Sequence, residues 1–297
     1  MSIAAAVAYR PRMAIDPSFD LDDFVRRVLA EDLGEGGDVT SAATIPADAK
    51  FTASINCREA IVVAGIGVAA AFFEHLDPQV NIDFAVSDDD RVDAGAVLMR
   101  LAGNARAMLA AERSALNTLQ HLSGIATLTR RYADAIAGTG ATLLDTRKTL
   151  PGLRALDKYA ARMGGAQNHR MRLDDGVLIK DNHVAVCGGV AQAVRAAKAA
   201  NTGLQVQVEV DRIDQIEPAL DAGADRLLLD NMAVATLREA VALVGGRVSL
   251  EASGGVSLDT IQGIAETGVD YISVGRITQS AAAVDIGLDY ELQRPSG

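Results

Sequence analysis

VQVEVDRIDQIEPALDAGADRLLLDNMAVATLREAVALVGGRVSLEASGG, residues 206–255, decides the fold. Three short apolar runs, Val206–Val210, Arg226–Asp230 and Val248–Glu251, alternate with helix-spaced segments at Ile213–Ala222 and Ala235–Val244. Short apolar strands separated by helices are buried on both faces, and that is the habit of a parallel sheet. The pattern extends outward in both directions. Further runs fall at Ala141–Asp145, Val177–Lys180 and Tyr271–Val274, and further helices at Leu153–Met163, Val190–Ala200 and Leu258–Thr267. About six βα units point to a closed βα barrel rather than an open sheet. No GxGxxG or GxxxxGK[ST] motif opens these helices, which weighs against a doubly wound fold.

Polar residues sit where these runs end. Arg147 and Lys148 follow the first, and Lys180 closes the second, with Asp181, Asn182 and His183 after it. Glu209 is near the end of the third, and Asp230 and Asn231 end the fourth. Glu251, Ser253, Gly254 and Gly255 end the fifth, and Gly275 and Arg276 the sixth. The N-terminal strand ends carry no such groups. In βα barrels the active site is built at the C-terminal face. Ser253–Gly255 and Val274–Arg276 belong to the last two units, where loop amides and helix N-termini often hold phosphate; the bland alternative is a pair of ordinary turns.

Charge narrows the ligand. The chain has a formal net charge of -11, yet Arg147 to His183 holds eight Lys or Arg against four Asp. A basic segment in an acidic chain fits a small, multiply anionic ligand held by Arg147, Lys148, His169, Arg170 and Lys180, since a guanidinium fork pairs bidentately with carboxylate or phosphate. Lys148 and Lys180 read equally as Schiff-base lysines or as an anion clamp. His169 reads as an acid, a hydrogen-bond donor or a loop residue. Glu209, set in an apolar strand, is either a partner for a cation or a ligand to sugar hydroxyls or Mg²⁺. Asp230 reads the same way, and with Glu251 they make an acidic arc facing the basic stretch.

Composition excludes other classes. The chain is 297 residues long, 49% hydrophobic and 4% aromatic, and has no Trp. Few aromatics and net negative charge argue against nucleic-acid binding. The longest apolar run, Ala60 to Phe73, is 14 residues with two glycines, too short to span a bilayer. Cys57 and Cys187 have no CxxC partner and read as reduced cytoplasmic thiols. The opening MSIAAAVAYRPR reads as a loose tail rather than a signal peptide.

The first third has a different rhythm. Asp20 caps a helix with apolar positions at Leu21, Phe24, Val25, Val28 and Leu29, and residues 31–40 form a glycine-rich turn. Strands follow at Phe51–Cys57, Ala60–Ala64, Val80–Val86 and Val97–Leu101, then a long helix at Ala105–Leu122 carrying Arg113 and Asn117 on one face. Gly65-Ile-Gly67-Val-Ala-Ala70 imitates a dinucleotide fingerprint, but no βαβ return follows, so a tight turn is the expectation.

These segments carry a resemblance. EDLGEGGDVT (31–40), AERSALN (111–117), HLSGIAT (121–127), DTRKTLPGLRALDKYA (145–160), NHR (168–170), LIKDNH (178–183), VEV (208–210), LLLDN (227–231), EASGG (251–255) and VDYISVG (269–275) resemble the quinolinate phosphoribosyltransferases, also called nicotinate-nucleotide pyrophosphorylases (carboxylating). The resemblance implies an α/β protein: an N-terminal open α/β sandwich over residues 20–124, rejoined by residues 286–297, and an incomplete (βα) TIM-like barrel over 125–285. It implies a cytoplasmic transferase of NAD biosynthesis that converts quinolinate and phosphoribosyl pyrophosphate to nicotinate mononucleotide, pyrophosphate and CO₂ with Mg²⁺ and no organic cofactor. By the same resemblance Arg113, Arg147, His169, Arg170 and Lys180 hold quinolinate, with Arg113 crossing from the partner of a homodimer or larger hexamer. Lys148 meets the pyrophosphate side, and Thr146 is a further substrate-binding residue; Glu209 and Asp230 take ribose hydroxyls or metal, directly or through water. Ser253, Gly254, Gly255, Val274, Gly275 and Arg276 cradle the 5′-phosphate. Lys148, Lys180, Glu209 and Asp230 are the expected catalytic set. The family usually has a small residue where Arg276 stands, so this arginine either adds a phosphate contact or narrows the pocket. The rivals are a same-fold paralogue acting on another anion and a Schiff-base aldolase or isomerase barrel.

Overall fold

The structure is a computed structural model describing residues 15–291. The opening tail and the last six positions of the 286–297 segment lie outside the described residues. In chain order the elements are α1 (Leu21–Leu33), α2 (Val39–Thr44), β1 (Lys50–Cys57), β2 (Ile61–Val62), α3 (Ile66–Leu76), β3 (Asn81–Phe84), β4 (Arg91–Val92), β5 (Val97–Asn104), α4 (Ala105–Ala135), β6 (Thr142–Leu144), α5 (Arg154–Met163), β7 (Val177–Ile179), α6 (Asp181–Cys187), α7 (Val190–Ala199), β8 (Val206–Val210), α8 (Ile216–Asp221), β9 (Arg226–Asp230), α9 (Val234–Val244), β10 (Ser249–Ser253), α10 (Ile261–Ala265), β11 (Tyr271–Ser273), α11 (Arg276–Gln279) and β12 (Ile286–Glu291). They divide into two compact units, residues 1–127 with 155–164 and 281–297, and residues 128–154 with 165–280.

The first unit is built on an antiparallel sheet ordered β12-β1-β5-β3. The central strand β1 is buried at every position from Ala53 to Cys57 rather than alternating, because both of its faces are covered. Asp20 caps α1 by accepting from the Asp23 N–H at 2.9 Å. The helix runs on to Leu33, so the glycine turn starts later than the sequence reading places it. Phe24 of α1 meets Phe72 of α3 edge-on, with ring centroids 6.0 Å apart. The imitation fingerprint is a turn into α3. Gly65 has φ +86°, and a Cβ there would fall 2.4 Å from Leu122 Cδ1, so close approach to α4 explains the glycine.

α5 is a correction to the sequence reading, which places it among the barrel helices; it groups with the first unit instead. It buries Leu156, Tyr159, Ala160 and Ala161, and with them the charged Asp157 and Lys158. The polar groups explain the grouping. Tyr159 donates its hydroxyl to Asp88, and His121 Nε2 lies 2.8 Å from Asp157 Oδ1. Both Asp88 and His121 belong to the first unit.

The second unit is a six-stranded parallel sheet in the order β6-β11-β10-β9-β8-β7. A single parallel bridge, Leu144 to Gln167, extends it beyond β6. Among the described residues no ladder joins that end to β7. The barrel is therefore incomplete and has a seam, unlike the closed barrel that the alternating pattern alone predicts. Residues 165–176, which would fill the gap, form loop rather than strand. Side chains alternate as the pleat requires. Val208, Val210, Leu227 and Leu229 are buried outward against the helices. Gln207, Glu209, Arg226, Leu228, Asp230, Glu251, Ser253, Tyr271 and Ser273 line cavities within the sheet's curve.

Candidate active site

The C-terminal ends of the parallel strands surround a cavity of about 780 Å³. Thr146, Arg147, Lys148, His169, Arg170, Lys180, Glu209, Asp230, Ser253, Gly254, Gly255, Val274, Gly275 and Arg276 all line it. One expected site residue does not. Arg113 is exposed on the part of α4 that belongs to the first unit.

The basic side is held by the backbone beneath it. Asp145, fully buried at the end of β6, accepts from the His169 N–H at 2.8 Å and from Asn168 Nδ2 at 2.5 Å. This clamp brings the 167–170 segment beside Arg147. Arg170 Nη1 donates to the Gly176 carbonyl at 2.7 Å. Burial lowers the Arg170 guanidinium below its ordinary value, and the charge of Arg147 lowers it further. The Nε of Arg147 is buried without a hydrogen-bond partner. Such a donor costs roughly 1–3 kcal/mol, which an anionic ligand would recover.

The acidic side differs from the sequence picture of three carboxylates in one arc. Glu209 Oε2 pairs with Lys180 Nζ at 2.8 Å, an arrangement of ammonium with carboxylate rather than of a free amine nucleophile. Asp230 accepts from Asn231 Nδ2 at 2.6 Å. Burial raises the Asp230 carboxyl, and the Glu209 charge raises it again. Glu251 lines the same cavity but sits deeper than the other two. It is fully buried below the rim and bonds to Gln207 Nε2 at 2.9 Å.

Two glycine loops complete the wall. Gly254 has φ +90°, and a Cβ there would lie 2.2 Å from Asn231 Oδ1. A Cβ on Gly275 would meet Lys148 Cδ at 2.8 Å, so this glycine lets Lys148 cross into the cavity. Thr278 Oγ1 donates to the Lys148 carbonyl at 2.8 Å, tying the two loops together. Arg276 is exposed at the start of α11 and lines the cavity.

Sequence reading missed a lower layer. Gln207, Arg226 and Tyr271 line a second cavity of about 430 Å³ that shares His169, Arg170 and Leu178 with the first. The expectation that N-terminal strand ends lack chemistry-capable groups is thus corrected: Arg226 and Tyr271 open their strands and stack, with the guanidinium carbon 3.6 Å from the ring centroid. Period-two counting back from Glu209 and Asp230 carried the signal, since Gln207 and Arg226 fall on the same strand faces.

A Mg²⁺ ion fits the donors present. Glu209 and Asp230 offer two carboxylates whose mutual repulsion a cation would relieve. Among the described residues no group of three or more His, Cys, Asp or Glu forms a cage. Two carboxylates suit an ion that keeps waters and substrate phosphate as its remaining ligands. Among the described residues no helix is long and apolar enough to cross a membrane.

The chain resembles known proteins along most of its length. Residues 125–289 match the family described as quinolinate phosphoribosyl transferase, C-terminal domain, and residues 38–123 match its N-terminal domain. The chain is 46% identical to nicotinate-nucleotide pyrophosphorylase [carboxylating] of Mycobacterium leprae (strain TN), over 93% of this chain and 100% of that one. It is 40% identical to the chloroplastic enzyme of the same name from Arabidopsis thaliana, over 93% of this chain and 84% of that one. Among solved structures, the nicotinate-nucleotide pyrophosphorylase from Francisella tularensis superposes with a TM-score of 0.87 at 41% identity, covering 91% of this chain and 96% of that one. With both domains of the family matched and a relative 46% identical over its full length, the chain belongs to the quinolinate phosphoribosyl transferase family.

Proposed function

We propose that this protein transfers the phosphoribosyl group of phosphoribosyl pyrophosphate to quinolinate, with decarboxylation, yielding nicotinate mononucleotide, pyrophosphate and CO₂. The observation that carries the reading is the pairing of Arg147 and Arg170, two crowded guanidiniums, one with a buried unpartnered Nε, at the rim of a cavity whose other wall is carboxylate and glycine loop. A diacid answers the first wall and a sugar phosphate the second.

Arg147, Arg170 and Lys180 pair with the two quinolinate carboxylates, with His169 between them, and so aim the ring nitrogen at the sugar. Lys148 neutralises charge growing on the departing pyrophosphate, and Thr146 sits beside it. Glu209 and Asp230 hold ribose hydroxyls and Mg²⁺, directly or through water; bound there, the ion supplies charge neutralisation to the pyrophosphate. Ser253–Gly255 and Val274–Arg276 cradle the 5′-phosphate, with Arg276 as an added contact. The sugar carbon loses pyrophosphate and takes the lone pair of the ring nitrogen, so no protein nucleophile is required. The C–C bond to the adjacent carboxylate then breaks, CO₂ leaves, and the electron pair stays on carbon next to the cationic nitrogen until a proton from water takes it.

We further propose a cytoplasmic homodimer, or a hexamer built from three such dimers, in which Arg113 of one protomer reaches the quinolinate of the other. Its exposure on α4 supports this role. The test is the ultraviolet absorbance of quinolinate mixed with the purified protein. Absorbance falls when phosphoribosyl pyrophosphate and Mg²⁺ are both added and stays constant when either is omitted. Constant absorbance with both present would overturn the assignment. A protein that binds phosphoribosyl pyrophosphate but releases no pyrophosphate would be a sensor instead.

A further inference from the structure

The floor of the cavity holds a charged group for which the reaction gives no direct use. Glu251 has no solvent exposure. Its Oε2 accepts from Gln207 Nε2 at 2.9 Å, lies 3.5 Å from His169 Nε2, and lies 3.6 Å from Arg226 Nη2. Burial alone would raise the carboxyl, but His169, Gln207 and Ser273 outweigh it and hold it below its ordinary value, so it stays a carboxylate inside the barrel. A buried charge of this kind is kept only where it is paired and hydrogen-bonded.

His169 is the link from that floor to the rim. Its Nδ1 accepts the backbone N–H of Arg170 at 2.8 Å. A ring nitrogen that accepts carries no proton, so the proton resides on Nε2, the nitrogen facing Glu251. The other side of the same residue is fixed as well, since its own N–H is given to Asp145. Both ring nitrogens are therefore engaged by the protein, one by the neighbouring amide and one by the barrel floor.

We propose that Glu251 is a positioning residue that locks His169 in one orientation and one tautomer, Nε2–H toward the barrel floor, and so shapes the quinolinate side of the cavity. Arg226, stacked on Tyr271, supplies the counter-charge that keeps the carboxylate there. Carboxylate pairing falls to Arg147, Arg170 and Lys180, while His169 acts as an aimed wall. An outer partner that fixes a ring through its far nitrogen is a recurring device where a histidine must not turn.

The inference rests on the proposed quinolinate chemistry for its kinetic part only. The chain contains four histidines, so a spectrum of [¹⁵N]histidine-labelled protein has four ring systems to resolve. His169→Gln assigns the one of interest by its loss. In the wild-type protein without substrate at neutral pH, that ring is expected to show a protonated Nε2 and an unprotonated Nδ1. Glu251→Gln has a single acceptor oxygen to divide between Gln207 and His169, so the two ring nitrogens should move toward averaged shifts. In the same variant the quinolinate KM should rise tenfold or more, with the phosphoribosyl pyrophosphate KM within twofold. An imidazolium or Nδ1–H pattern in the wild type would overturn the proposal, and this reading needs no variant to fold. Equal rises in both KM values, or an unchanged ring in Glu251→Gln, would overturn it too. If the wild-type protein turns over no quinolinate but shows the predicted tautomer, the functional assignment fails and the ring lock stands.

Discussion

Asp88 in the first unit and Asp230 in the second are both aspartates whose carboxyls burial raises above the ordinary value. Their neighbours then treat them in opposite ways. Asp88 accepts from the Ile66 N–H at 3.0 Å and from the Tyr159 hydroxyl, and both bonds lower its carboxyl, although burial and the nearby Asp89 leave it raised on balance. Asp230 meets the charge of Glu209, which pushes it higher, against weaker relief from Asn231, Lys180 and Lys148. The first is a closed circuit that fastens α5 into its unit. The second is left under electrostatic tension. Buried polar groups that satisfy one another build the fold; those held unsatisfied or against like charge mark where a ligand supplies the missing partner.

The contrast predicts its largest effect on the basic side. Arg147→Ala should lower kcat/KM for quinolinate by on the order of 10² to 10³, the loss typical of one partner of a desolvated charge pair. The phosphoribosyl pyrophosphate KM should stay within about threefold. Steady-state kinetics with each substrate varied would check it. Equal effects on both substrates would place Arg147 outside the diacid subsite.

A subunit-mixing experiment sharpens the comparison by asking whether the first unit also contributes chemistry. Arg113→Ala and Lys180→Ala proteins should each be nearly inactive alone. In a twofold dimer that exchanges subunits at random, half the dimers are hybrids and each has one intact site, so activity should return to about a quarter of wild type. No recovery after verified exchange would mean that each site is made by one chain.

The same substitution at the two aspartates should give opposite stabilities. Asp88→Ala strands the Ile66 N–H and the Tyr159 hydroxyl. It should cost roughly 2–3 kcal/mol, lowering Tm by about 4–8 °C for a protein of this size, with both KM values unchanged. At both aspartates the folded-state pKa is raised, so the favourable contribution of each exists below the unfolded value near 3.9 and is lost as pH rises through the folded one. At Asp88 the two donors stranded by substitution outweigh that cost, and at Asp230 no backbone donor is stranded. At pH 7 the ionised group is a burden. Asp230→Ala should therefore raise Tm by about 1–3 °C at pH 7, a gain that fades toward pH 4, while activity falls more than about tenfold. Calorimetry across that range decides it; a pH-independent loss of stability would put Asp230 in the same class as Asp88.

Much of this was legible in the residues. Short apolar runs between helical segments gave the parallel strands, and polar strand ends located the cavity, because strand burial and barrel chemistry are local rules. What escaped depended on partners distant in sequence. α5 has helical spacing like its neighbours, but its polar positions find Asp88 and His121. β4 is two residues long, too short to carry a period. α4 continues past Leu122 to Ala135 through a polar stretch whose spacing has no sharp stop signal. Glu251 ends the apolar run Val248–Glu251 in the sequence but stands at the middle of β10, where His169 and Gln207 hold it inward, and no count along one strand reveals a partner two strands away.

If Arg147, Arg170 and Lys180 act together, the cationic rim recognises two carboxylates at once. Calorimetric titration of the purified protein with quinolinate, and separately with its two pyridine monocarboxylates, measures this. Quinolinate should bind at least tenfold more tightly than either monocarboxylate, and Arg147→Ala should erase most of the difference. Equal affinity for all three would contradict it.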